Sequence, residues 1–477
     1  MTETSKHPSK NGARATRRTT AGPAPTDGRT AGGPSAAPAG SGSGSDSDSA
    51  GNGGGTGEGA ASGGVSRRRL LGAAGAAGAG GLVVGAGGGI GAYAATRPAG
   101  PAPLTGLGSH AVAFHGAHQA GITTPPQAAG HLAAFDLAPG AGRAEAVALM
   151  RRWTACAAPM AEGRPAPDHD TGIALDAGPA ALTVTFGFGH GFFDRTGLTK
   201  QRPVQLDPLP AFSSDHLDPA RSNGDLWVQI GSDDALVAFH ALRALLKAAG
   251  AAARLRWQMS GFNRSPGATP HPMTPRNLMG QIDGTGNPKQ SAPRFDEQIF
   301  VPSKPAATGS PLAAPAWMAN GSYAVVRRIR MLLDDWEKLP LSHQEKVIGR
   351  RKSDGAPLTG GTEDTAMALT RTGQDGQLVI PADAHARIAQ PAANGGAAML
   401  RRAYSYNDGV DADGAPDAGL LFVAWQADPL KGFVPVQRKL DRGDALSAFI
   451  RHEASGLFAV PGGAAPGEYV GQRLLES

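Results

Sequence analysis

Two stretches of this 477-residue chain share an order of secondary-structure patterns that few folds can accommodate. In the first stretch, runs typical of strands occupy residues 111–114, 181–189, 225–230 and 253–262. One helical pattern covers residues 144–158. A second begins after the N-cap signal at 232–234 and ends near Ala249. The order strand, helix, strand, strand, helix, strand predicts a ferredoxin-like α+β unit.

The same order recurs less regularly nearer the C terminus. Strand patterns occupy residues 323–332, 419–425 and 456–460, and helical patterns occupy residues 334–348 and 444–450. Two such units that face each other would enclose a crevice. We therefore predict an α+β fold with two ferredoxin-like units in a dimeric barrel-like arrangement, an N-terminal unit over 98–270 and a C-terminal unit over 271–477.

The first 97 residues differ from the rest of the chain in composition and charge. Residues 1–65 consist almost wholly of Gly, Ser, Ala, Thr, Pro and charged residues, which predicts a disordered leader. Of the 45 basic and 40 acidic residues, ten and five lie in residues 1–97, so the rest of the chain has 35 of each. This neutral remainder gives no electrostatic support for nucleic-acid binding, which needs clustered basic surface.

Residues 66–97 resemble a twin-arginine signal peptide. Three arginines at 67–69 precede a weakly apolar, Gly/Ala-rich run from Leu70 to about Ala95, and small residues near Ala92 offer a cleavage site. A retained membrane anchor and a true start further along the chain are the alternatives. A cleaved signal predicts an exported protein, extracellular or in the cell envelope, with the twin-arginine translocase as a partner. Such cargo folds before export, which favours a cofactor inserted in the cytoplasm.

Cysteine and histidine usage gives little support for a disulfide or a zinc site. The single cysteine, Cys156, lies in an apolar helical pattern, so we predict that it is a buried small hydrophobe. His115 and His118 are three residues apart, but no acidic or thiol ligand lies beside them in the sequence.

The segment Met279–Pro288 contains three glycines and a proline around one carboxylate, Asp283. Such a segment forms a tight, irregular backbone, and a carboxylate within it is either a turn former or a catalytic group. Taken alone, the composition of the segment favours the turn.

A second pair of candidates lies further along the chain, where Arg401 follows His385 by sixteen residues. Pro391 and the glycines at 395–396 prevent one continuous helix between them, so the chain can present the two side chains to opposite sides of a flat group. The alternatives are a hydrogen-bonded structural histidine and an arginine in a salt bridge.

Four segments together resemble the signature segments of the dye-decolorizing peroxidases. They are residues 114–122, 280–284, 384–387 and 400–406. The resemblance covers nearly all of residues 105–470, and the leader is similar to that of the exported, deferrochelatase-like branch. It implies one haem b per chain, held by the C-terminal unit, and hydrogen peroxide as the oxidant of bulky dye-like or phenolic reductants in one-electron steps.

The resemblance also implies roles for individual residues. His385 corresponds to the axial ligand of the haem iron, with His115, His118 and His240 as the next candidates. Asp283, beside Gly284 in its motif, and Arg401 correspond to the pair on the opposite, distal side of the haem. Asp444 corresponds to an acceptor that orients the ligand histidine, or it is only the N-cap of the following helix.

Several alternatives stay open at this point. The segment between His385 and Arg401 is slightly shorter than in some members of the family, so Arg402 is a second candidate for the distal arginine. Another class of function is a haem-handling or deferrochelatase-type protein of an iron-acquisition system, for which a distal carboxylate has no evident use. Aromatic side chains at the surface are candidates for carrying electrons from a bulky reductant, and those considered are Trp227, Tyr404, Tyr406 and Trp425. An aspartate as the acid–base group predicts that oxidation is fastest in mildly acidic solution.

Overall fold

A computed structural model describes residues 106–269, 272–303 and 314–477. Within these ranges the strands are Ala129–Leu137 (β1), Thr183–Gly189 (β2), Leu226–Ser232 (β3), Ala253–Phe262 (β4), Ser322–Met331 (β5), Leu400–Arg401 (β6), Tyr404–Val410 (β7), Pro416–Gln426 (β8) and Ile450–Val460 (β9). The α-helices are Arg143–Ala161 (α1), His190–Arg195 (α2), Ala235–Ala249 (α3), Phe295–Ile299 (α4), Leu333–Glu337 (α5), Leu341–Ile348 (α6), His385–Ile388 (α7), Phe433–Gly443 (α8) and Gln472–Leu475 (α9).

The leader and the twin-arginine segment predicted over residues 1–97 lie outside the described residues. Among the helices within the described ranges, each is too short or too polar to cross a lipid bilayer.

The strands form two four-stranded sheets that close into one antiparallel barrel. The order is β2-β3-β1-β4 in the N-terminal half and β9-β5-β8-β7 in the C-terminal half, and both have the strand order of a ferredoxin-like unit. The barrel closes where β2 pairs with β9 and where β4 pairs with β7. The predicted α+β fold with two ferredoxin-like units is therefore confirmed.

The first strand of the N-terminal unit was predicted in the wrong place. Residues 111–114 have no regular secondary structure, and the strand is β1. This strand lacks the β-branched residues that usually signal one, because it packs closely against its neighbours. A Cβ atom at Gly130 would lie 2.5 Å from the ring of Tyr404, so only glycine fits there.

The last helix of the C-terminal unit was also misplaced. The sequence predicted a helix over residues 444–450, but the helix is α8, and Ala445–Phe449 is a short 3-10 turn that follows it. Pro435 is compatible with helix α8. It lies in the first turn of α8, where the missing N–H removes no intrahelical hydrogen bond.

The interior of the barrel is packed with aromatic side chains, and this differs from the crevice expected between the two units. Trp227 stacks on Phe458 at a ring-centroid distance of 5.4 Å and lies 5.8 Å from the ring of Trp425. Helices α1 and α3 cover the outer face of the N-terminal sheet, where Cys156 is buried as predicted. Burial raises the pKa of the Cys156 thiol to about 11, which makes it unreactive at neutral pH.

Candidate active site

A loop before α4 holds Asp283 in a conformation that depends on two glycines. Gly280 has φ +77° and Gly284 has φ +137°, both in the range that residues with a side chain rarely adopt. The guanidinium of Arg276 donates to the carbonyl oxygen of Gly280 at 2.8 Å, and the Trp336 indole donates to that of Met279 at 3.1 Å. The loop is therefore fixed just before the carboxylate, on its N-terminal side.

The carboxylate of Asp283 pairs with the guanidinium of Arg401, which lies on β6. Arg401 Nη1 donates to Asp283 Oδ1 at 3.1 Å, and the two side chains are 28% and 22% exposed. The second carboxylate oxygen, Oδ2, accepts a longer hydrogen bond of 3.3 Å from Asn277. Asp283 is thus more than a turn residue, because its side chain takes part in a partly exposed ion pair.

The neighbouring Arg402 points in the opposite direction. Its side chain is buried and donates to the carbonyl oxygens of Thr124 and Pro125 and to the hydroxyl of Tyr404. Successive residues of an extended chain face opposite sides, so only one of two adjacent arginines can reach Asp283. That residue is Arg401.

A second pair joins His385, the first residue of α7, to Asp444, the C-cap of α8. His385 Nδ1 lies 2.7 Å from Asp444 Oδ2, and the Asp444 side chain is 2% exposed. Asp444 Oδ1 accepts from the Leu446 amide at 3.0 Å, so Asp444 is also an N-cap. One carboxylate therefore both pairs with His385 and caps the turn that follows α8.

The electrostatics of His385 link the two pairs. Burial alone would lower the pKa of His385, but the negative charge of Asp444 and its hydrogen bond outweigh burial, so the pKa is raised. The charges of Arg401 and Asp283 also act on the imidazole, with opposite signs. All four side chains therefore lie near one another in the C-terminal unit, although 118 positions of sequence separate Asp283 from Arg401.

The other histidine candidates have structural partners. His115 Nδ1 lies 3.2 Å from the carbonyl oxygen of Ala464, and His118 Nδ1 lies 2.7 Å from that of Asn320. His240 is buried in the N-terminal unit beside Thr171 and Asp170. The described residues contain no cluster of three or more His, Cys, Asp or Glu side chains arranged to hold a metal ion.

Sequence reasoning missed one residue of the site, Asn287. Its side chain makes three hydrogen bonds to Arg401: Oδ1 accepts from the Arg401 amide at 3.1 Å and from Nε at 3.2 Å, and Nδ2 donates to the Arg401 carbonyl oxygen at 2.7 Å. An Asn-Pro dipeptide is an ordinary turn signal, so nothing local marked this residue. Its place four residues after Asp283 was the only signal available.

The aromatic residues considered as surface electron carriers are all buried. Trp227, Tyr404, Tyr406 and Trp425 each have 0% of their surface exposed. The remaining tryptophans and the other tyrosines of the described ranges are at most 6% exposed. The described part of the chain therefore presents no tryptophan or tyrosine ring at its surface.

Comparisons with known proteins agree with this fold and identify the family. Residues 119–263 match the N-terminal part and residues 274–465 the C-terminal part of the Dyp-type peroxidases. A dye-decolorizing peroxidase from Thermobifida fusca (strain YX) is 47% identical over 371 residues, which are 76% of this chain and 84% of the relative. A deferrochelatase from Yersinia pestis bv. Antiqua (strain Nepal516) is 36% identical over 378 residues, 76% of this chain and 85% of the relative. The solved structure of ferric DtpA from Streptomyces lividans is 72% identical, with a TM-score of 0.76 over 79% of this chain and 100% of that chain.

A barrel of two ferredoxin-like units with a histidine–carboxylate pair and an arginine–carboxylate pair in its C-terminal half defines an oxidoreductase of the peroxidase class. The chain belongs to the Dyp-type, or dye-decolorizing, peroxidase family.

Proposed function

We propose that this chain is a haem-dependent peroxidase in which His385 holds the iron and Asp283 and Arg401 act on hydrogen peroxide. The observation that carries this proposal is the placement of two complementary pairs in one unit, His385 with Asp444 and Arg401 with Asp283. The solved relative described as ferric DtpA supports iron in such a fold. Peroxide is the oxidant, and a dye-like or phenolic molecule, small or polymeric, is the reductant.

The side chains fit a haem b group, one per chain. Because His385 Nδ1 is hydrogen-bonded to Asp444, the other ring nitrogen, Nε2, keeps its lone pair and is the atom that would bind iron. No described residue hydrogen-bonds to Nε2 or to Arg401 Nη2, so both atoms are available to a bound group and its ligand. Gly284 keeps the distal loop in the conformation that presents Asp283.

Haem, when bound, would supply an iron that binds peroxide, provides the two electrons needed to break the O–O bond, and regains them one at a time from the reductant. Asp283 Oδ2, the less firmly held oxygen of the carboxylate, takes a proton from one peroxide oxygen and delivers it to the other, which then leaves as water. The fixed charge of Arg401 stabilises the negative charge that develops as the O–O bond breaks. Asp444 holds His385 in one tautomer and raises its donor strength.

The purified full-length protein tests this function directly. We expect a Soret absorption band with one haem per chain, and peroxide-dependent oxidation of 2,6-dimethoxyphenol that is fastest in mildly acidic solution. A protein that binds no haem, or binds it without oxidising any phenolic or dye reductant, would contradict the proposal.

A deferrochelatase-type function is the second candidate, because a deferrochelatase is 36% identical to this chain. The word describes removal of iron from haem, which would leave a fluorescent porphyrin. The pair of Asp283 and Arg401 favours peroxide chemistry, since it provides both an acid–base group and a fixed positive charge. Porphyrin fluorescence measured beside phenol oxidation in the same preparation distinguishes the two functions.

The N-terminal leader supports a proposal about location. We propose that residues 66–97 direct export through the twin-arginine pathway to the cell envelope or the medium, after a leader of residues 1–65. The arginines at 67–69 and the Gly/Ala-rich run after them are the support. N-terminal sequencing of the exported protein should find a start near residue 95, and replacing Arg67 and Arg68 by lysine should keep the protein inside the cell.

A further inference from the structure

Both polar atoms of the Asn287 carboxamide form hydrogen bonds to one residue, Arg401. The oxygen accepts from the amide and the Nε of Arg401, and the nitrogen donates to the Arg401 carbonyl oxygen. Asn287 is itself held in place, because its amide donates to the carbonyl oxygen of Gly284 at 2.8 Å and Pro288 restricts the backbone after it.

The geometry of β6 explains why Arg401 needs such a partner. Strand β6 has two residues and pairs with β8 on one side, where Ala424 lies opposite Arg401. The amide of the next residue, Arg402, donates toward β8 at Val423, so the amide and carbonyl of Arg401 point away from that strand. A carboxamide has the same donor and acceptor as a peptide unit, and Asn287 therefore takes the place of a missing neighbouring strand.

The bond to Nε extends this pairing to the side chain. A free arginine side chain has many rotamers, and ordering it costs free energy each time it must act. With Nε on Asn287 and Nη1 on Asp283, the plane of the guanidinium is fixed, and Nη2 is the donor left for a ligand. A charge that is held in position before the reaction stabilises developing charge better than one that must reorganise.

We propose that Asn287 is a positioning residue that orients Arg401 toward the ligand on the distal side of the haem. This inference rests on the proposed function, because it assumes that Arg401 faces that ligand.

Fluoride affinity of the ferric haem protein provides the test, since fluoride is a small anion that needs a hydrogen-bond donor beside the iron. The variants are Asn287→Ala, Arg401→Ala and the double variant. The control is Asn263→Ala: Asn263 also bonds backbone of this segment, donating to the Ala403 carbonyl oxygen, but does not touch Arg401. Haem content and thermal midpoint are measured for each variant. Asn287→Gln, which keeps both polar groups on a longer chain, replaces Asn287→Ala if that variant does not fold.

We expect Asn287→Ala to weaken fluoride binding about tenfold, at the lower end of the 10- to 100-fold associated with a hydrogen bond to a charged group. Arg401→Ala should weaken it by at least as much, and the double variant should be no weaker than Arg401→Ala, because Asn287 acts only through that arginine. Asn263→Ala should bind fluoride as the parent does.

Three outcomes would contradict the inference in different ways. Parent-like fluoride affinity in Asn287→Ala, together with a loss in Arg401→Ala, overturns the positioning role alone. Losses that multiply in the double variant would show that Asn287 acts independently of Arg401. Unchanged affinity in Arg401→Ala, with haem bound, would instead remove the distal role of Arg401 and with it that part of the proposed function.

Discussion

The two pairs of the site have similar chemistry, a carboxylate and a nitrogen donor, but different surroundings. In the pair proposed for the proximal side of the haem, His385 Nδ1 and Asp444 Oδ2 are 2.7 Å apart, and the carboxylate is almost fully buried. In the pair proposed for the distal side, Arg401 Nη1 and Asp283 Oδ1 are 3.1 Å apart, and both side chains keep about a quarter of their surface exposed. A short buried contact suits a group that must hold one orientation, whereas a longer and more exposed contact leaves the carboxylate able to exchange a proton.

The largest effect is expected from removing the proximal ligand. His385→Ala should purify with almost no haem, because in the proposed site His385 Nε2 would form the one strong protein bond to the iron. The ratio of Soret to protein absorbance measures this, and His240→Ala is the matched control because His240 also pairs with an aspartate, Asp170. Full haem content with an unchanged spectrum in His385→Ala would transfer the ligand role to His115 or His118.

The distal pair should affect rate without affecting haem content. Loss of a preorganised charge costs about 10² to 10³ in rate, and loss of a general base about 10² to 10⁴, part of which water can replace. We therefore expect Arg401→Ala to slow the reaction with peroxide at least as much as Asp283→Ala. Stopped-flow mixing of each ferric variant with peroxide, followed in the Soret region, measures this rate.

A second arginine–aspartate pair supplies the control for that experiment. Arg330 on β5 and Asp411, in the turn between β7 and β8, form a partly exposed pair outside the site. Arg330→Ala should therefore react with peroxide at the parent rate. Parent rates in both Arg401→Ala and Asp283→Ala would show that the distal pair has no part in the reaction. Asp283 would then have only a structural role, in the turn.

Asp444→Asn should have a smaller effect, because it keeps the size of the side chain and removes only its charge. Replacing the partner of a ligand histidine typically costs about 10- to 100-fold in metal affinity or activity. We expect a loss in this range and a higher reduction potential of the iron, measured by spectroelectrochemistry. An unchanged potential would mean that Asp444 serves only as the N-cap of the turn after α8.

The smallest effect is expected in the pH dependence of stability. Burial, together with the charge of Arg327, lowers the pKa of His452 from 6.5 to about 3, and burial lowers that of His131 to about 4. Between about pH 6.5 and these values the unfolded chain binds more protons than the folded chain, so the free energy of unfolding falls as the pH falls. Each histidine contributes at most about 1.4 kcal/mol per pH unit.

Mildly acidic solution should therefore raise the rate of oxidation but lower the free energy of unfolding. Urea midpoints at pH 7.0 and 4.5 should show a loss of stability in the parent and a smaller difference between the two pH values in His452→Gln. An equal difference in parent and variant would show that the pKa of His452 is not lowered by folding.

The sequence predicted residue types and element order better than it predicted positions. The strand–helix order, the glycine loop around Asp283 and the pairing of His385 with Asp444 were all visible, because each depends on local turn chemistry or on a family motif. Strand β1 was missed because it contains small residues that are not typical of a strand. These residues leave room for the ring of Tyr404 on another strand. The choice between Arg401 and Arg402 depended on which of the two adjacent side chains faces the Asp283 loop. A shift of one residue along an extended chain reverses the face, and the sequence does not show which face that is.

Closure of the barrel has a consequence for how the chain is made. Strand β9, which ends at Val460, completes the barrel by pairing with β5 and with β2 of the first half. The ribosome makes this strand after every other strand of the barrel, so the rings of Trp227 and Phe458 cannot stack until then. During translation the nascent N-terminal half exposes an apolar sheet face that other nascent chains can bind. The N-terminal half therefore buries that face completely only after the last strand has been made.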